Sequence, residues 1–357
     1  MGITIGDTNG IGIEVTMKAV GVPEMIDMCT PVIYGSSKIV NYHRNACNLP
    51  GFQMNYTKSA ESLKDNMPNL VECIDQDIKV ELGQPSKQAG LASFIALEAA
   101  VRDLKAGLID VLVTGPISKD NIQSEQFKFP GHTEYLESAA GEGEKALMLM
   151  CTENLRIALA TTHLPLAQVP AALTIEGICE KLRLLNQSLK RDFNIDGPRI
   201  AVLSLNPHAG ENGMLGTEER DIILPAIQQS LDEDGIQCFG PYAADGFFGA
   251  RHYRRFDGVL AMYHDQGLAP FKTIAMDEGV NFTAGLPIVR TSPDHGTGYD
   301  IAGQGIANES SMRHAIYTAI DVWHHRARYD EAHQNPLPKL FQDRGRDNVK
   351  LDLTKGE

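Results

Sequence analysis

The 357-residue sequence contains no CxxC pair; its six cysteines, at 29, 47, 73, 151, 179 and 238, stand far apart. In a chain of this length that spacing excludes a zinc ribbon or a disulfide framework. It predicts reduced thiols in a cytoplasmic setting. Basic residues are also in deficit. Lys and Arg number 32 against 46 Asp and Glu, a formal charge of −14, which argues against a nucleic-acid surface because such surfaces need basic patches. A small anionic substrate stays compatible, since it needs only a few local cations. No apolar run approaches the roughly 20 residues of a membrane helix, so no membrane partner is expected. No signal peptide is evident. Ile3 and Ile5 read as the end of a first strand, so a few native residues upstream are expected to be missing. Internal repeats and low-complexity linkers are absent.

What is present is ordinary globular material, 43% hydrophobic and 22% charged. The length suits two domains, or one large one, with ample core. Short apolar runs alternate with longer helical patterns, which predicts an α/β protein. Residues 88–106 read as a helix, with Phe94, Leu97, Val101 and Leu104 on one face and Gly107 ending it. Thr174 is placed to cap a second helix carrying Ile175, Ile178, Leu182, Leu185 and Leu189. Thr217, followed by Glu218 and Glu219, starts a third, with acidic residues at the positive end of its dipole. Strand patterns cover residues 110–114, 156–160, 200–205 and 258–263. The polar tail from Asp330, with Pro336 and Pro338, reads as a loosely packed extension.

Three of those strands run into histidine: His163 after 156–160, His208 after 200–205, His264 after 258–263. Ligands of open α/β sheets bind outside the carboxyl ends of the strands. Three imidazoles converging there, with one coordination position open, suit a catalytic divalent cation. No HExxH-type motif ties them together. His43, His252, His314, His324, His325 and His333 lack this context and read as surface or structural residues.

Residues 256–308 concentrate polar chemistry: His264-Asp265, Lys272, Asn281, Arg290, then Asp294-His295-Gly296-Thr297 leading to Asp300. A ligating imidazole, cations and a Gly-rich loop so close together point to an enzyme handling a small anion. Lys272 and Arg290 read otherwise as solvated surface charges. His132 and Thr133 open a helix whose free N–H groups suit phosphate or carboxylate, and Thr133 reads equally as a plain N-cap. GDTNGIGIE at Gly6 lacks the third glycine of GxGxxG, and by pattern alone is a tight strand-to-helix turn.

Taken together, the motifs resemble the 4-hydroxythreonine-4-phosphate dehydrogenase (PdxA) family over roughly residues 2–325. The matching pieces are GDTNGIGIE at Gly6, VTGPISK at Val113, GHTEY at Gly131, TTHLPL at Thr161, LNPHAGENGMLGTEE at Leu205, MYHDQG at Met262, GVNFTAGLP at Gly279 and RTSPDHGT at Arg290. The resemblance implies a two-domain isocitrate/isopropylmalate dehydrogenase-like α/β fold with the active site in the interdomain cleft. Residues 1–115 with 290–357 would form one domain and 116–289 the other, which carries the metal ligands and a homodimer interface.

It further implies NAD-dependent, metal-assisted oxidation of 4-phosphooxy-L-threonine, with decarboxylation to 3-amino-2-oxopropyl phosphate, in pyridoxal phosphate (vitamin B6) biosynthesis. His163, His208 and His264 would bind Zn, Mg, Mn or Co, with His264 offered across the homodimer interface. His132, Thr133, Lys272, Asn281 and Arg290 would bind substrate. Asp245, Asp265 and Lys272 are the candidates for orienting water or moving the proton.

Residues 295–308 look much like the cofactor loop of isopropylmalate dehydrogenases, which puts His295, Gly296, Thr297, Asp300 and Asn308 at the NAD, with Asp7 and Gly10 of the Gly6 motif expected beside it. Asp300 would set preference for NAD over NADP by repelling a 2′-phosphate, or else merely caps a turn. The chain departs from the family at Thr8-Asn9, where Pro-Ala is usual, and at Ile13, where Pro is usual. Dehydrogenation of erythronate or threonate 4-phosphate is the alternative, and a His₃ metallohydrolase a more distant one.

Overall fold

The computed structural model describes residues 1–335, and the tail from Pro336 lies outside them. Twelve strands among the described residues join in one sheet. They are β1 (Gly2–Thr4), β2 (Val32–Gly35), β3 (Asn55–Thr57), β4 (Asn69–Glu72), β5 (Leu112–Thr114), β6 (Leu147–Cys151), β7 (Arg156–Leu159), β8 (Ile200–Leu203), β9 (Cys238–Tyr242), β10 (Gly258–Ala261), β11 (Val280–Ala284) and β12 (Arg290–Pro293). Their order across the sheet is β3-β4-β2-β1-β5-β12-β11-β6-β7-β10-β8-β9. The pairs at both ends are parallel, whereas β12–β11, β11–β6 and β6–β7 are antiparallel. The two parallel blocks therefore run in opposite directions, with an antiparallel seam between them.

Period-2 alternation sends the residues of each strand to two different layers. In β7 and β10, Ala158 and Leu260 join the main core cluster. Ile157, Leu159, Val259 and Ala261 join a second one with Leu268 and Phe271 of the helix His264–Ala275. Strands buried on both faces read as continuous apolar runs, which is why 200–205 and 258–263 were legible.

The helices follow their caps. Ser86 Oγ accepts from Ala89 N and opens the helix Lys87–Lys105; Gly107, at φ +71°, ends it. Thr174 Oγ1 accepts from Gly177 N at 3.0 Å and opens Ile175–Arg191. The third predicted helix begins as a wide turn, Glu219–Ile223, before Leu224–Asp234. Glu219 is buried and accepts from the backbone N–H groups of Leu205 and Asn206, so this carboxylate braces a loop in addition to facing the helix dipole. Asp330 does not start a loose tail. It belongs to the helix Ser310–His333 and accepts two hydrogen bonds from Arg191, at 2.8 and 2.7 Å.

Candidate active site

A cleft lies over the antiparallel seam. Arg290 and Ser292 of β12, Asn281 of β11 and Met148 of β6 form its floor. Cross-strand partners share a face: Asn281 pairs with Ser292, and Thr283 with Met148. At one end stand Gly115-Pro116 and Asp294, just past β5 and β12; at the other stand His163 and His264, just past β7 and β10. Strand-end placement thus holds for each group. Because the parallel blocks oppose each other, the cleft runs between two sets of carboxyl ends instead of lying along one.

Arg290 is 2% exposed and has hydroxyl partners only. Its Nε and Nη2 donate to Thr114 Oγ1, at 3.1 and 2.6 Å, and its Nη1 to Thr283 Oγ1 at 3.1 Å. Burial pushes the guanidinium down to about 9, which still leaves it charged at neutral pH. An ion so placed costs several kcal/mol, of the order ~5, unless a counter-charge arrives. His132 and Thr133 open the helix His132–Ala140 beside it. Burial, and then Arg290, hold the His132 imidazole well below its usual range, so the ring is neutral.

Ten buried side-chain polar atoms among the described residues lack a partner. Five of them line this cleft: His132 Nε2, Glu134 Oε2, Asn281 Oδ1, Asp294 Oδ2 and His295 Nε2. Buried polar groups are normally satisfied, so a cluster of unsatisfied ones marks the seat of a polar ligand.

His163 and His264 come together in one chain, with ring centroids 6.1 Å apart. The register dictates this: β7 and β10 are adjacent and parallel, Leu159 opposite Ala261, so residues just past them must be neighbours. Within one chain, then, His264 sits beside His163.

Each ring has a carboxylate on Nδ1, Glu134 Oε1 at 3.1 Å from His163 and Asp265 Oδ1 at 2.7 Å from His264. With Nδ1 donating, each Nε2 keeps its lone pair, the pattern that metal-binding histidines with a carboxylate partner show. Burial is the largest single influence on the Glu134 carboxyl and would raise it, but the hydrogen bond from His163, a backbone N–H and the nearby Lys119 together outweigh it, and the net displacement is downward.

His208 does not join them. It lies five residues past β8 in a neighbouring cleft with Asp245 and Asp265, and among the described residues no three His, Cys, Asp or Glu side chains form a metal-binding group. Residues 208–212 all have positive φ: 52°, 52°, 79°, 42° and 56°. At roughly 1–2 kcal/mol per non-glycine residue, this left-handed turn is strained. One chain thus brings two of the three strand-end imidazoles together and presents the third elsewhere.

Lys272 is turned to Asp294, with its Nζ 3.0 Å from Oδ1 and donating to the backbone carbonyl at 3.0 Å. Burial raises the Asp294 carboxyl despite that neighbour, and burial lowers the His295 imidazole.

The proposed cofactor residues divide. His295 and Gly296 line the cleft. Asp7 is 1% exposed, and its carboxylate accepts from Asn9 N, Asn121 Nδ2 and Tyr299 Oη. Asp7 therefore pins the 294–303 loop from beneath. Thr297 accepts from Ile11 N through its carbonyl. Asp300 is exposed, and Asn308 Oδ1 accepts from Ser310 N at the start of the last helix. Asn9 explains one departure from the family pattern: its side chain bonds Gln84 O, Ser86 Oγ and Glu81 N, fastening the segment that leads into helix Lys87–Lys105.

A Cβ on Gly10 would sit 2.5 Å from Thr297 O. Gly10→Ala must therefore displace the 294–303 loop. A loss of about 1–3 kcal/mol is expected in denaturant unfolding, as for overpacking elsewhere, and an unchanged midpoint would contradict this contact.

Three charged residues of the cleft went unassigned in the sequence: Lys119, Glu134 and Asp294. All lie inside quoted motifs, but a lysine or carboxylate in a loop or an exposed first helical turn is usually solvated. Only the fold shows that these three face one cavity.

The pyridoxal phosphate biosynthetic protein PdxA family matches residues 27–319. A 4-hydroxythreonine-4-phosphate dehydrogenase of Bacteroides thetaiotaomicron is 53% identical, covering 99% of this chain and 96% of the relative. A putative D-threonate 4-phosphate dehydrogenase of Oceanobacillus iheyensis is 38% identical, covering 90% and 97%. Among solved structures, the 4-hydroxythreonine-4-phosphate dehydrogenase of Klebsiella pneumoniae superposes with a TM-score of 0.76 at 32% identity, covering 90% and 97%.

Proposed function

This chain belongs to the PdxA family of pyridoxal phosphate biosynthetic proteins, and from that premise we propose that it is a 4-hydroxythreonine-4-phosphate dehydrogenase. The secondary alcohol of 4-phosphooxy-L-threonine gives up hydride to NAD and a proton to the protein. The resulting β-keto acid loses carbon dioxide to give 3-amino-2-oxopropyl phosphate. The observation that carries the reading is the buried Arg290, with no carboxylate among its hydrogen-bond partners, on the floor of a cleft beside two paired imidazoles.

Arg290 binds one anionic end of the substrate, with His132, Thr133 and the free N–H groups of the helix His132–Ala140. Asn281 Oδ1 and the unpartnered oxygens of Glu134 and Asp294 receive hydrogen-bond donors. Asp294 with Lys272 behind it can hold the proton released by the alcohol. Asp265 orients His264. A divalent cation on His163 and His264 would supply Lewis acidity to the alcohol, and a nicotinamide near His295-Gly296 would accept the hydride. His208 completes the ligand set from a second copy, which makes the working form a homodimer. No described helix is long and apolar enough to cross a membrane, and a cytoplasmic setting fits the reduced thiols.

Dehydrogenation of threonate or erythronate 4-phosphate is the second reading, favoured by the Oceanobacillus relative. The two substrates differ by an ammonium against a hydroxyl. Two buried carboxylate oxygens without partners, on Glu134 and Asp294, suit the ammonium. NAD reduction should therefore proceed with 4-phosphooxy-L-threonine at a kcat/KM at least about tenfold above that for either sugar-acid phosphate, a difference of one charged contact. Chelator should abolish it and divalent cation restore it. Faster turnover of a sugar-acid phosphate would establish the second reading, and hydrolysis without nicotinamide reduction would reject both.

A further inference from the structure

We propose that Lys119 is a placeholder for the metal at His163 and becomes a ligand of the anionic substrate once the metal displaces it. The inference rests on the metal reading given above. Lys119 stands in the loop that leaves β5, and its Nζ lies 3.1 Å from His163 Nε2. The other ring nitrogen, Nδ1, is 3.1 Å from Glu134 Oε1. An ionised carboxylate only accepts, so Nδ1 carries the hydrogen and Nε2 keeps its lone pair. The ammonium donates to that lone pair. A metal ion on His163 would use the same one, and a single lone pair serves one of the two.

Among the described residues Lys119 has no carboxylate partner, and His163 is its one side-chain contact at hydrogen-bond distance. Lysine is a flexible, strongly hydrated point charge, and Lys119 is exposed, so leaving the ring requires no backbone movement. Once displaced it is repelled by the cation that replaced it. It still lines the cleft that holds Arg290, His132 and Thr133, where an anionic substrate is the compensating charge. Metal loading therefore does two things: it fills the imidazole pair, and it frees a second cation for the substrate. Each event promotes the other, by linkage in equal measure.

The test compares wild type with Lys119→Met, folded by circular dichroism, in zinc titrations against a chromogenic chelator. NAD is left out so that nothing turns over, and each titration is run with and without 4-phosphooxy-L-threonine. Without substrate the variant should bind zinc about tenfold more tightly, because nothing competes for Nε2. Substrate should tighten zinc binding in wild type by a factor that falls about tenfold in the variant. Loss of a surface charge alone would tighten zinc equally with and without substrate; an unchanged ratio therefore overturns the inference while leaving the metal reading intact. A wild-type protein that binds no zinc overturns the metal reading and this inference with it.

Discussion

Arg290→Met will weaken binding of the phosphorylated substrate by about 2–5 kcal/mol, roughly 30- to 4,000-fold, while NAD affinity changes far less. The guanidinium is 2% exposed and bonds only Thr114 and Thr283. When the substrate anion arrives, a buried charge gains the partner that the fold withholds. Removing the guanidinium leaves that anion desolvated against a neutral floor.

The same facts fix the sign of the stability change. In the ligand-free protein the guanidinium is a desolvated ion facing two hydroxyls, which do not neutralise it, and methionine occupies a similar volume without that cost. The two threonine hydroxyls lose a partner, about 1–3 kcal/mol each at most, in the opposite direction. Ligand-free Arg290→Met should therefore melt within a few degrees of wild type. A residue kept for structure would behave in reverse, with a large drop in Tm and little change in substrate affinity. That result, or equal losses for NAD and substrate, would remove Arg290 from the anion site.

The contrast between Arg290 and the histidines shows where sequence reasoning reached its limit. The strands before His163 and His264 were legible because strands buried on both faces are unbroken apolar runs. Strand order was not, since it depends on pairings between residues about a hundred positions apart, such as Ile157 with Val259. Without that order, three strand-end histidines look equivalent. The fold makes two of them neighbours and sends the third around a strained turn. The seam was illegible for the same reason: β11 carries ordinary strand residues, and nothing in it states that β12 and β6 flank it in the opposite direction. By residue type alone Arg290 reads as readily as a solvated surface charge as an anion-binding group; its burial follows only from the placing of β12 in the middle of the sheet. The helices Lys87–Lys105 and Ile175–Arg191 were readable almost to the residue because Ser86, Gly107 and Thr174 act locally.

Mixing inactive single mutants will restore activity in two pairings and not in the third. His163→Ala, His208→Ala and His264→Ala should each be inactive alone, because each removes an imidazole from every site. In one chain His163 and His264 stand together, and His208 faces a different cleft with Asp245. If a second copy supplies His208, each site takes two ligands from one chain and one from the other. A mixed dimer of His163→Ala and His208→Ala then contains one intact site, whose His163 and His264 come from the His208→Ala chain and whose His208 comes from its partner. Random exchange makes about half the dimers mixed, and one site in two is whole in each, so about a quarter of wild-type activity should return. His264→Ala with His208→Ala should do the same. His163→Ala with His264→Ala should recover nothing, because each chain spoils its own half-site. Recovery in that last pairing would mean that His264 crosses to the partner after all, and that its approach to His163 is not the working arrangement. No recovery in any pairing, after subunit exchange is verified by a mass-tagged chain, would mean that the sites are not shared between copies. The left-handed turn at 208–212 bears on which result to expect. Strain of this kind persists where the surroundings over-determine it. Glu219, which fixes the Leu205 and Asn206 backbone just before the turn, gives His208 a rigid mount from which to be presented to another chain.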